Sequence, residues 1–372
     1  MENNSALFKI LLNLLAKGDF SALKADLTEM NVVDIAEFLE ELDKDAMIKV
    51  FRILPKDISA DVFSYLDPDY QEDIVVSITD AEVRKLIDDL FLDDVVDFLE
   101  EVPANVVTRV LRSTNPEMRK MINTFLSYPE NSAGSIMTNE MVELHDRLTV
   151  AQAIDHIRLT GVDKETIYTC YCIDNGRHLM GTVDLSDLIF NDRSALIRDI
   201  MDDDRQLISV NTLDDQEKVA DVAKHYDLLA VPVVDNENRL VGMVTIDDIM
   251  DIIEDEATED FEKMAAMSPS DKPYLKTGVL ETVRSRIPWL MLLMLSATFT
   301  GIIITSFESA LAACVVLTSF IPMLSGTGGN SGSQSSVTII RALSLGELEF
   351  RDLPQVVWKE IRTAVCCGGV LA

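Results

Sequence analysis

Paired cysteines are missing from this chain. Its five cysteines follow neither a disulfide nor a zinc spacing: Cys170 and Cys172 share a strand-like run, Cys314 lies in an apolar segment, and Cys366-Cys367 open another. Free thiols are expected, which excludes a disulfide-stapled scaffold and a zinc module. Histidine is as sparse, and His145, His156, His178 and His225 join no serine, cysteine or aspartate in a nucleophilic grouping, so no enzyme is expected. Basic charge is short too: 32 Lys+Arg stand against 64 Asp+Glu, a net of −32. A surface of that sign repels nucleic acid, and no nucleic-acid partner is expected. A signal peptide is also absent, because the first apolar run, Leu11 to Ala16, is short and interrupted by Asn13. The N-terminus should stay in the cytosol.

What the chain does have is unevenly placed. Before Lys276 stand 25 of the 32 basic and 58 of the 64 acidic residues, a net of −33, and the rest carries +1. An acidic surface of this kind either keeps a protein soluble or gathers carboxylates for divalent cations. A length of 372 residues leaves room for two or three domains.

Residues 1–130 read as helices only, with apolar positions at helical spacing, as in Ile35, Phe38, Leu39 and Leu42. Breaks fall at Pro55, Asp67-Pro68, Pro103 and Asn115-Pro116. The run Asp34–Leu42 recurs sixty positions later as Asp94–Val102. Repeated short helix pairs cannot bury their apolar faces alone, so a superhelical all-α domain is expected. Residues 131–253 alternate strand-like runs (Ile167–Ile173, Leu228–Val234, Leu240–Val244) with helical patterns, and they too are doubled. Ser135-Ile136-Met137-Thr138 returns as Asp199-Ile200-Met201-Asp202, and Gly181–Leu188 returns as Gly242–Ile249. This doubling resembles tandem CBS domains, an α/β regulatory module, with units at 131–198 and 199–253.

A connecting helix is expected over 247–275, where Asp247–Lys263 holds nine carboxylates and one lysine. Like charges at i, i+3 and i+4 destabilise such a helix unless something neutralises them. A membrane domain follows over 284–372. Ile287–Phe307 is uncharged for 21 residues, which at 1.5 Å per residue spans a bilayer of roughly 30 Å. Ser309–Ile340 is uncharged for 32 residues, too long for one straight span, so a break is expected at Pro322, Gly326, Gly328 and Gly329. Irregular backbone at membrane depth needs a protein-lined or water-filled setting, so this segment should line a pathway. Arg284 and Arg286 precede the first span, and Arg341, Arg351, Lys359 and Arg362 follow the second, which puts both ends of the pair in the cytoplasm. A third apolar segment opens at Thr363, and the sequence given stops at Ala372, too early to span. The glycine run lacks the lysine of a P-loop, so a soluble NTPase is not expected.

Helical repeat, paired CBS units, acidic connecting helix and the motif Pro-Met-Leu-Ser-Gly-Thr-Gly-Gly-Asn-Ser-Gly-Ser-Gln at 322–334 together resemble the MgtE family of magnesium transporters. The resemblance implies a homodimeric, multi-pass Mg²⁺ channel of the cell (inner) membrane. Each subunit would have five membrane helices in the lipid bilayer and cytoplasmic N-terminal domains that sense Mg²⁺ and close the pore when it is high. The family's pore aspartate would lie in a last span that the sequence given does not reach. The Mg²⁺-sensing positions implied are Asp61, Asp93 and Asp97 in the helical repeat, and Glu217 and Asp227 in the second CBS unit. Asp248, Asp251, Glu256, Glu259 and Asp260 follow on or beside the connecting helix, which looks like the family's plug helix. In the pathway, the backbone at Gly328 and Gly329 and the Asn330 side chain would offer neutral oxygens to a hydrated ion. CBS pairs often take adenine nucleotides, which implies ATP as a second ligand at Tyr171, Asp184, Asp187, Thr245 and Asp248. The competing reading is a membrane-tethered Mg²⁺ or nucleotide sensor that does not itself conduct.

Overall fold

The computed structural model describes residues 2–202, 207–270, 274 and 277–371. The chain forms two compact units, Met1–Met250 and Asp251–Ala372. The first begins with α1 (Glu2–Lys17), α2 (Phe20–Thr28), α3 (Val32–Glu40), α4 (Lys44–Ile53) and α5 (Lys56–Ser64). It continues with α6 (Pro68–Ser77), α7 (Asp80–Asp89), α8 (Leu92–Glu101), α9 (Ala104–Ser113) and α10 (Pro116–Phe125). Each is short because its ends are marked in the sequence. Asn31, Asp43 and Asn115 accept a backbone N–H as N-caps, Thr79 and Glu82 form a capping box, and Pro68 and Pro116 sit in first turns. Neighbours two apart in sequence pack together, as α3 with α5, α5 with α7 and α7 with α9, which is the expected superhelix. The repeat equivalents Phe38 and Phe98 are both buried, and Phe63 meets Phe98 edge-on at 5.3 Å.

The α/β part carries β1 (Glu143–His145), α11 (Val150–Thr160), β2 (Thr169–Ile173), β3 (Leu179–Asp184), α12 (Leu185–Phe190) and α13 (Ile197–Ile200). Its second copy carries β4 (Val210–Asn211), α14 (Gln216–Tyr226), β5 (Ala230–Val234) and β6 (Leu240–Thr245). Both three-stranded sheets run parallel then antiparallel, and both slip register at the same place, Cys172/Ile173 and Val233/Val234. The repeated four-residue motifs have a structural purpose. Thr138 bridges to Met243 of the second sheet and Asp202 to Thr182 of the first, so each unit's leading segment extends the other's sheet. Gly242 sits where that exchange brings backbones together: an added Cβ would lie 2.7 Å from the Thr138 carbonyl oxygen. As expected of free thiols, Cys170 and Cys172 are unpaired and buried in β2.

From β6 the chain enters α15 (Ile246–Met264), which carries it out of the first unit. The helix ends at Met264, short of the expected 275, and residues 271–273, 275, 276 and 372 lie outside the described residues. The second unit continues with α16 (Val279–Ser306), α17 (Glu308–Ala313), α18 (Val316–Ser344) and α19 (Leu353–Leu371). Among the described residues, α16 is the one helix long and apolar enough to cross a membrane by composition. The expected break at Pro322 and the glycines is not there. The chain turns earlier, between Ala313 and Val316, and α18 then runs unbroken for 29 residues with Pro322 inside it. Gly326, Gly328 and Gly329 are helical, since the glycines with positive φ are Gly18 and Gly346 among those described. A proline inside a helix deletes one ladder bond and kinks the helix without having to end it, and glycine accepts helical φ and ψ as readily as other conformations. The stretch from Arg341 to Arg362 that follows is also largely helical, because α19 already starts at Leu353.

Candidate functional site

Helix α8 divides its residues by face. Leu92, Val95, Val96, Phe98 and Leu99 are buried in the apolar core, while buried Asp93 and its neighbour Asp94 in the first turn, with Asp97 one turn on, form an acidic ridge that starts at the N-terminal end. The helix dipole favours negative charge there, and Asp93 Oδ1 accepts the Asp94 N–H at 3.0 Å. What the ridge faces is not favourable. Within the first unit the α/β part brings up Glu140 and Glu165 from loops and Asp247 and Asp248 from the start of α15, and α5 contributes Asp61.

The charges that push these groups upward are all carboxylates. Burial, then Asp94, Asp248 and Glu165, raise Asp93 well above the usual carboxylate range. Asp94 is pushed up to about 7 by burial, then by Asp248, Asp61, Asp247 and Glu140. Burial and Asp248 push Asp97 up to about 7 as well. Asp97 keeps solvent-accessible surface, however, so water moderates its shift more than that of Asp93, which is 8% exposed. Glu165 is pushed up to about 8 by burial, Asp94, Asp247 and Asp248, and its Oε2 is buried with no hydrogen-bond partner. Such a seam demands protons or cations. Among the described residues no three His, Cys, Asp or Glu side chains gather tightly enough to hold a bare metal ion. The looser spacing suits a small dication that keeps several waters.

The expected sensing residues divide accordingly. Asp61, Asp93, Asp97 and Asp248 meet in this seam, joined by Asp94, Asp247, Glu140 and Glu165, which the sequence did not single out. Glu217 and Asp227 do not share a site within the chain: they sit at the first turn and C-cap of α14, about 15 Å apart along the axis. Asp227 holds φ +52°, a left-handed cap. Asp251, Glu256, Glu259 and Asp260 lie further along α15, where Glu259 pairs with Lys263 at 2.7 Å. Asp260 is engaged in the second unit: it accepts from Ser344 Oγ at 2.6 Å and lies 3.4 Å from the Arg341 guanidinium.

The nucleotide residues divide too. Asp184 accepts from Thr169 Oγ1 at 3.0 Å and caps α12 together with Asp187, and Thr245 donates to Asp248 at 2.6 Å in the equivalent turn. The first turn is exposed, with Asp184 and Asp187 at the surface, whereas Thr245 is buried and Asp248 half-buried. Tyr171 departs from expectation: it is fully buried between the sheets with Met141, Leu179, Leu240 and Met243, and offers no surface to a ligand. In α18 the expected backbone oxygens at Gly328 and Gly329 lie within the continuous helical ladder, and the polar side chains of that turn are Thr327, Asn330 and Ser331.

Comparison with known proteins agrees with this architecture. Residues 30–131 match the family model of the MgtE intracellular N domain, 197–255 that of the CBS domain, and 321–372 that of the MgtE divalent cation transporter. The chain is 36% identical over 362 residues to the magnesium transporter MgtE of Thermus thermophilus, covering 96% of this chain and 80% of that one. It is 32% identical to the Bacillus subtilis magnesium transporter MgtE, covering 96% and 78%. Among solved structures, the soluble part of a magnesium transporter superposes with TM-score 0.64 at 31% identity, over 68% of this chain and 99% of that one. The cytosolic domain of the Mg²⁺ channel MgtE in complex with ATP gives 0.61 at 34%, over 65% and 98%. These relatives are named as magnesium transporters, or as parts of one. The chain belongs to the MgtE family.

Proposed function

We propose that this chain is a Mg²⁺ transporter whose cytoplasmic carboxylates sense Mg²⁺ and close the pathway when the ion is abundant. The observation that carries the reading is the meeting of Asp93, Asp94 and Asp97 with Glu165, Asp247 and Asp248. Two carboxylates about 6 Å apart at an effective dielectric near 20 repel by roughly 3 kcal/mol, and several such pairs would drive the helical domain off the CBS pair. A hydrated dication between them reverses the sign. Because Asp247 and Asp248 open α15, packing at the seam sets the start of the helix that leads to the membrane. Asp260 on that helix bonds the C-terminal end of α18, which gives the helix a hold on the segment carrying Asn330. In the pathway Asn330 supplies a neutral oxygen, while Gly328 and Gly329 keep the helix surface free of side chains. The exposed apolar surfaces of α16 and α18 require cover, for which we propose the lipid bilayer and a second copy in a multi-pass homodimer.

Limited proteolysis tests the sensor: millimolar Mg²⁺ should slow cleavage between the helical domain and the CBS pair several-fold relative to chelator. Equal cleavage in both would refute sensing. An ion-flux assay in vesicles separates a conducting protein from a tethered sensor. A nucleotide at the CBS pair is favoured by the ATP complex of the 34% identical neighbour. Calorimetric titration of ATP should show heat that is lost in D184A, and no heat in the unsubstituted protein would remove that ligand.

A further inference from the structure

Between Val316 and Ile340 helix α18 carries no charged residue, yet a carboxylate from the next helix reaches it. Glu360 of α19 accepts a hydrogen bond from Ser335 Oγ at 2.5 Å, and both residues are half-buried. Ser335 lies six residues before Arg341, about 9 Å in from it along α18, and Glu360 is seven residues, about 10 Å, into α19. The pair therefore lies on the side that Arg341, Lys359 and Arg362 mark as cytoplasmic, where α19 touches α18. Neighbouring cations on α19 do not cancel Glu360. Arg362 lies over the Trp358 ring at 5.8 Å and donates to the Trp358 carbonyl, and no described Lys or Arg is within ion-pair distance of Glu360. A carboxylate held against α18 there adds negative charge where that helix itself carries none.

We propose that Glu360, oriented by Ser335, is an electrostatic positioning residue that concentrates the transported dication at the cytoplasmic side of the α18 pathway. The proposal rests on the transport reading above and adds a residue to it. Mg²⁺ uptake into vesicles holding the whole protein tests it with E360Q, E360D and S335A, each checked by size-exclusion elution and thermal unfolding. E360Q keeps an oxygen for Ser335 but loses the charge. Its KM for Mg²⁺ should rise roughly five- to tenfold, the order expected when one charge about 7 Å from a hydrated dication is removed at water-like dielectric. Its maximal rate should stay within about twofold, and the KM difference should shrink in high salt, because exposed charges are screened. E360D should keep a KM near that of the unsubstituted protein, and S335A should fall between the two. An active unsubstituted protein with unchanged KM in E360Q, or with rate lost equally in E360Q and E360D at constant KM, would overturn the proposal and leave transport standing. No uptake by the unsubstituted protein in chelator-treated vesicles would overturn the transport reading, and this proposal with it.

Discussion

Asp93 is the residue at which the proposed switch can be argued most directly. Its burial and its neighbours Asp94, Asp248 and Glu165 favour the neutral form, so the ionised form costs the packed state free energy. Replacing it with asparagine removes the charge and keeps the shape. D93N should therefore raise the unfolding midpoint of the protein in chelator by a few degrees, at about 2–4 °C per kcal/mol for a unit of this size, and shrink the further rise caused by Mg²⁺. Differential scanning measures both, and an unchanged Mg²⁺ response would remove Asp93 from the sensor. The pH dependence follows from the same shifts. A carboxylate whose folded pKa is raised leaves the packed state with more bound protons than the unfolded one, so stability falls as pH rises between the two values. Asp94 moves from 3.8 to about 7 and Glu165 from 4.5 to about 8. Stability in chelator should thus decline from about pH 4 to about pH 8, whereas saturating Mg²⁺ should flatten that slope and release protons on binding. A chelator profile that rises over this window would contradict the seam as described.

At the scale of elements, the two duplications carried most of the fold into the sequence. The Asp34–Leu42 and Asp94–Val102 copies became α3 and α8, and the doubled runs Gly181–Leu188 and Gly242–Ile249 became the second halves of β3 and β6 with the starts of α12 and α15. Asp94 was legible only as a marker of the repeat, because its charge acquires meaning when Asp247 and Asp248, more than a hundred residues away, come opposite it. Glu165 had no local signal at all: it precedes β2 in a loop, and only tertiary approach buries it. Proline and glycine misled at α18 for the opposite reason, since both weaken a helix locally without having to end it, and Pro322 stands inside 29 continuous helical residues. The glycines also differ in what they tolerate. An added Cβ at Gly242 meets Met137 Sδ and the Thr138 oxygen at 2.7 Å, and the latter is backbone held by the paired bonds between Thr138 and Met243. At Gly328 it meets nothing within 4 Å. G242A should cost about 1–3 kcal/mol, the range of overpacked sites, while G328A should be neutral to slightly stabilising in an unfolding assay. Any loss of Mg²⁺ flux in G328A would then report on the pathway or a partner helix rather than on folding.

For the whole molecule the governing quantity is how unevenly the charge is shared, −33 before Lys276 and +1 after it. Two kinds of repulsion follow, and salt separates them. The diffuse repulsion of surface carboxylates acts through solvent and is screened within about 10 Å at 0.1 M monovalent salt. Repulsion inside the seam acts between groups that are close and partly dry, where mobile ions enter poorly. If diffuse charge governed the packing of the helical domain on the CBS pair, potassium chloride at about 0.5 M would reproduce millimolar Mg²⁺, since that salt already shortens the screening length to under half the value at 0.1 M. If the seam governs it, monovalent salt should slow proteolysis between the two domains only slightly. Mg²⁺ should act at a hundredth of that concentration, and D93N with D97N should behave in chelator as though the ion were present. Cleavage rates across a salt series, with and without chelator, distinguish the two, and equal potency of potassium and magnesium at matched ionic strength would move the sensor from the seam to the surface.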